Sequence, residues 1–145
     1  MSSATVLLVA ALVGVSSSRP DLFRPQQSIG KEEKVHVGDV TGYYSCQGED
    51  GNGKRYKGVA MIVKKNDIYV VQWTVGVGST FVGIGIRKGD TMAISWALPA
   101  EKAVVRGVNL YKIAPGPRLT GHWATLPGDG FLQRETLTFL KKVDD

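Results

Sequence analysis

A single cysteine, Cys46, stands in a chain of 145 residues. An intramolecular disulfide is therefore excluded, and stability has to come from a packed core, which a chain of this length can build as one domain without metals or cross-links. Cys46 reads as a small buried hydrophobe rather than as a thiol that pairs between chains. Histidine is nearly as scarce. His36 and His122 are the only imidazoles. Neither lies in a nucleophile motif, and with one cysteine they offer no ligand spacing for zinc, so neither a hydrolase triad nor a metal site is predicted. Gly83-Ile84-Gly85 is not followed by a helical pattern. That removes a phosphate-binding reading, and no cofactor is expected. Asn52, Asn66 and Asn109 are followed two positions on by Lys54, Ile68 and Tyr111, so none is a glycosylation acceptor.

Long apolar runs are also missing, with one short exception at the N-terminus. Thr5 to Val15 is apolar and is followed by Ser16, Ser17 and Ser18. This is the length of a signal-peptide hydrophobic region and too short to span a bilayer, with Val15 and Ser17 at plausible −3 and −1 cleavage positions. No Lys or Arg precedes the run, which leaves a short membrane anchor or a buried strand as alternatives. Residues 1–18 are read as a signal peptide and 19–34, with Pro20, Pro25, Gln26 and Gln27, as a linker. The domain is then 35–145, secreted or periplasmic, with no membrane contact once the signal is removed.

What the chain has in quantity is glycine, 18 residues against six prolines, which suits many tight turns. From Val35 onward, short apolar or alternating runs are separated by turn clusters, the mark of an antiparallel sheet. Eight strands are predicted near 36–47, 55–64, 67–75, 80–87, 91–97, 103–112, 118–125 and 132–141. Asn66-Asp67, Gly89-Asp90 and Gly116-Pro117 each precede a strand that ends in tryptophan: Trp73, Trp96 and Trp123. The repeating unit is a hairpin of about two dozen residues. Four such hairpins predict an all-β fold, an eight-stranded antiparallel up-and-down meander that removes its edges by closing into a small barrel.

Alternation assigns the faces. Tyr69, Val71, Trp73 and Val75 share one face, as do Met92, Ile94 and Trp96, Leu119 and Trp123, and Gln133, Glu135, Leu137 and Phe139. These point inward, and Gln72, Ser95 and His122 point out. The strands near 55–64 and 80–87 fit either register, and their interior glycines suggest bulges or sharp coiling.

The net charge of +5 includes Lys54, Arg55, Lys57, Lys64, Lys65, Lys141 and Lys142. Inward tryptophans and export weigh against a nucleic-acid surface, so these are read as solvated turns and protected strand edges.

The meander, the Trp-ending strands and the Gly-Asp turns resemble avidin-like and lipocalin-like (calycin-type) barrels over roughly residues 36–141. The lipocalin Gly-x-Trp signature is absent, because Gly42 is followed by Tyr43 and Tyr44. Tyr56-Lys57-Gly58, Tyr69 through Trp73, and Gly121-His122-Trp123 with Glu135-Thr136-Leu137 are similar to short exported bacterial proteins labelled fibronectin-binding. That likeness implies a protein partner. One aromatic from each successive hairpin can line a barrel interior, so the candidate ligand-binding residues are Tyr69, Trp73, Trp96, Trp123 and Glu135, facing a small apolar or aromatic ligand. The expected function is an exported, non-enzymatic binding barrel. The alternative is a protein-interaction or structural module with a filled core, which binds extracellular matrix or inhibits an enzyme. Were the barrel an enzyme, Glu135 would be its acid–base carboxylate.

Overall fold

The computed structural model describes residues 38–99 and 104–144. The expected signal peptide, the linker, the domain start near Val35 and His36 lie outside those residues. Within them the chain forms eight strands, β1 Gly42–Glu49, β2 Arg55–Lys65, β3 Ile68–Val75, β4 Ser79–Lys88, β5 Thr91–Pro99, β6 Val104–Ala114, β7 Arg118–Leu126 and β8 Gln133–Lys141. Each pairs antiparallel with the next, and β1 pairs with β8 to close the barrel. Seven strands lie close to their expected limits. The first does not: β1 starts at Gly42, and residues 38–41 are not a strand.

Turn chemistry explains the connections at one end, here called the lower. Asn66-Asp67 and Gly89-Asp90 make two-residue hairpins, since Lys65 pairs with Ile68 and Lys88 with Thr91. Asn66 and Gly89 occupy the left-handed region at φ 54° and 62°. Such turns match the right-handed twist of the flanking strands. Lys112 pairs with Asp90 at 2.6 Å across the foot of β5 and β6.

This end is filled. Tyr44, Ile62, Met92, Ile113, Leu119 and Leu137 are all buried, and Val40 is fully buried beside them. The Tyr44 hydroxyl donates to the Val40 carbonyl at 2.6 Å, and the Arg87 guanidinium donates to the carbonyls of Gly38 and Gly89, both at 2.8 Å. Residues 38–41 thus cross the lower opening as a plug, which is why they leave the sheet.

The structure settles the two strands whose alternation was ambiguous. In β2, Tyr56, Gly58, Ala60 and Ile62 turn inward. In β4, Phe81, Gly83, Gly85 and Arg87 turn inward while Val82, Ile84 and Ile86 face solvent, the last two 60% and 64% exposed. Neither strand is bulged: the register runs unbroken through Gly58, Gly83 and Gly85. The register shift falls instead between Tyr43 and Tyr44, where β1 meets β8. Gly83 is small because β5 needs the space, since a Cβ there would lie 2.8 Å from both Ile94 and the Ser95 carbonyl oxygen.

Candidate functional site

At the upper end the turns lengthen. Five residues, 50–54, separate Glu49 from its partner Arg55, and residues 127–132 separate β7 from β8. The larger opening leaves a cavity of about 280 Å³ in the upper half of the barrel. Tyr56, Trp73, Phe81, Trp96 and Trp123 wall it, with Asn109 and Glu135 as polar groups and Asp50 at the rim.

Glycines make room for these rings. A Cβ on Gly107 would fall inside the Trp96 indole, and one on Gly48 would strike the Tyr56 hydroxyl. The rings meet edge to face. Phe81 and Trp96 have centroids 5.0 Å apart at 68°, and Tyr56 and Trp123 are 6.3 Å apart at 63°. These are favoured aromatic geometries, and successive rings set at steep angles enclose a box.

Glu135 is 5% exposed and organises the polar part. Its Oε2 accepts from the Tyr56 hydroxyl at 2.6 Å and the Cys46 thiol at 3.1 Å. Its Oε1 accepts from the Tyr111 hydroxyl and from Asn109 Nδ2 at 3.2 Å. Asn109 Nδ2 also reaches the Tyr111 oxygen at 2.6 Å, and Asn109 Oδ1 accepts from Trp96 Nε1 at 2.7 Å. Four donors on two carboxylate oxygens match the capacity of an ionised carboxylate. Burial pushes Cys46, Tyr56 and Tyr111 well above their ordinary pKa values, and the charge and hydrogen bonds of Glu135 push them further. All three therefore stay neutral and remain donors at neutral pH.

Two buried polar atoms at the cavity have no hydrogen-bond partner, Trp73 Nε1 and Trp123 Nε1. The Trp123 indole eases ionisation of the Tyr56 hydroxyl slightly, but it makes no hydrogen bond of ordinary geometry. An unmet buried donor costs on the order of 1–3 kcal/mol.

Of the five residues singled out from the sequence, four are brought together here: Trp73, Trp96, Trp123 and Glu135. Tyr69 also turns inward but lies in the packed core, opposite Gly85, and does not line the cavity. Sequence reasoning missed Tyr56, Phe81 and Asn109, and it treated Cys46 as apolar packing alone. Tyr56 and Phe81 sit on the two strands of ambiguous register. Asn109 lies at the centre of the alternating run Val108-Asn109-Leu110-Tyr111, where an inward amide among apolar neighbours was the available signal.

No family model matches the chain, and no curated protein matches it. Solved structures do. A redesigned β-barrel superposes with a TM-score of 0.57 at 15% identity, covering 70% of this chain and 92% of that one. A second redesigned barrel, mFAP1 bound to DFHBI, gives a TM-score of 0.50 at 16% identity and covers 70% and 94%. These likenesses concern the fold, a closed eight-stranded barrel of the shape that the calycin-type resemblance implied.

Proposed function

We propose that this domain is a non-enzymatic binding barrel that takes one small apolar or aromatic molecule in its upper cavity. The observation that carries the reading is a cavity of about 280 Å³ walled by five aromatic rings, with two indole N–H donors left unmet. It is near the small end of ligand pockets and larger than the roughly 150 Å³ apolar cavities that take up benzene, so it suits a molecule of one or two rings. Use of a barrel interior for a small ligand is what the avidin-like and lipocalin-like resemblance implies, and mFAP1, bound to DFHBI, is another barrel of this shape that holds a small molecule. A binding role rather than turnover is favoured because every acceptor position of Glu135 is occupied, which leaves it poorly placed to take a substrate proton. The domain acts outside the cytoplasm; mass spectrometry of exported protein should find a start between Ser18 and Lys34, and an intact Met1 would contradict that.

Calorimetric titration with 2-naphthol tests the binding role. One molecule is expected to bind per chain, and Val75→Phe, which adds a ring at the cavity wall, should weaken binding at least tenfold. No saturable binding to folded protein would remove the proposal.

One observation favours a protein-interaction reading instead. Val82, Ile84 and Ile86 on β4 and Val108 and Leu110 on β6 are exposed on the outer face, on either side of the small residues Ala93, Ser95 and Ala97 of β5. That reading expects Ile84→Lys to abolish association with a partner and to leave 2-naphthol binding intact.

A further inference from the structure

The aromatic rings say that the cavity takes a flat or apolar body; the charges around it say more. The chain has 18 basic residues against 13 acidic ones, yet among the described residues no Lys or Arg lines the cavity, while Asp50 and Glu135 both do. Asp50 has a local explanation, since its Oδ1 accepts from the backbone N–H groups of Asn52 and Lys54 at 3.0 and 2.9 Å and so shapes its own turn. Glu135 has none of that kind. It is buried, its four hydrogen-bond partners are all neutral groups, and no salt bridge reaches it among the described residues. Among the described residues, no cation is among the charges acting on its neighbours Cys46, Tyr56 and Tyr111. At the lower end, by contrast, Arg87 contributes to the field at Tyr44.

A buried carboxylate that no cation among the described residues pairs, set beside aromatic rings, has a specific chemical complement. Ring faces carry negative potential and attract cations within about 6 Å of the centroid, and aromatic cages recognise quaternary ammonium groups in this way. In the partly enclosed interior of the barrel the field of a carboxylate is also stronger than at a surface. From the five-ring wall and the carboxylate of Glu135, which no cation among the described residues pairs, we infer that the ligand is an organic cation, an aromatic or alkyl ammonium whose charged head is enclosed by Trp73, Phe81, Trp96 and Trp123. This rests on the cavity being a ligand site.

The test compares phenyltrimethylammonium with tert-butylbenzene, which has nearly the same shape and no charge, and with benzoate, by calorimetry on the folded domain. The cation is expected to bind at least tenfold more tightly than tert-butylbenzene, and benzoate not to bind. Glu135→Gln should reduce that preference severalfold. Should that variant fail to fold, Phe81→Leu supplies the second arm, because it removes a ring and keeps an apolar side chain. It should weaken the cation more than the hydrocarbon. Equal or tighter binding of tert-butylbenzene would overturn the cationic assignment and leave the binding barrel standing. Absence of binding by all three to folded protein, together with a failed 2-naphthol titration, would remove both.

Discussion

The two halves of the barrel are built from the same eight strands and have opposite contents. Below, turns of two or three residues join the strands, residues 38–41 cross the opening, and Tyr44, Ile62, Met92, Leu119 and Leu137 fill the interior. Above, longer turns hold the wall open, and larger side chains line the cavity without filling it. An eight-stranded barrel is just wide enough for side chains to fill, so whether it holds a ligand depends on what each position carries. The difference shows how one hairpin unit can serve both ends. Three of the repeats start at a tight turn with a buried core residue, Tyr69, Met92 or Leu119, and finish with a tryptophan, so packed side chains collect at one end and the indoles at the other.

The largest expected contrast is in stability. Leu137→Ala removes a fully buried side chain from the filled end and should cost about 2–5 kcal/mol in denaturant titration. Phe81→Ala, at the mouth of an existing cavity, should cost less than about 2 kcal/mol. Equal losses would mean that the upper half is packed as tightly as the lower.

The polar floor between the halves gives the next effect. Tyr111→Phe removes a donor to Glu135 and an acceptor for Asn109, and should destabilise by roughly 1–3 kcal/mol. A near-neutral result would show that the network contributes little to holding the cavity floor.

The last effect is a pH dependence. Burial and Glu135 raise the Cys46 thiol far above its ordinary value near 9.0, and Tyr56 and Tyr111 above theirs near 10.0. The folded protein keeps these protons where the unfolded chain loses them. Their contribution to stability is therefore complete below the unfolded values and falls as pH rises past them, by at most about 1.4 kcal/mol per pH unit for each group. Denaturant titrations should show stability declining from near pH 9, and Cys46→Ala should move that onset toward the tyrosine range near pH 10. An unchanged onset would place the thiol outside the network.

The fold was largely legible in the sequence because turn residues and the Trp-ending repeat are local signals. Period two also placed Trp73, Trp96 and Trp123 inward and Gln72, Ser95 and His122 outward, as the structure has them. Two things were not legible. Residues 38–41 fall inside the first expected strand, 36–47, but their role as a plug depends on a contact with Tyr44 and with Arg87, 49 positions away from Gly38. The site was half visible for a related reason. On β4 the inward positions carry glycine and the outward ones carry isoleucine, since the interior volume there is taken by Ile94 and Trp96 from β5. Hydrophobicity alone then favours the wrong face and hides Phe81. The network of Cys46, Tyr56, Asn109, Tyr111 and Glu135 joins five residues from four strands, and only the closed register brings them within hydrogen-bonding distance.

The central claim, one hollow end and one solid end, is tested most directly by a crystal structure of the domain under xenon pressure, since xenon enters apolar cavities. The account predicts a xenon site in the upper half among Trp73, Phe81, Trp96 and Trp123, and none among Tyr44, Ile62, Met92 and Leu137. An unoccupied upper half with its rings packed together, or xenon bound only in the lower half, would contradict it.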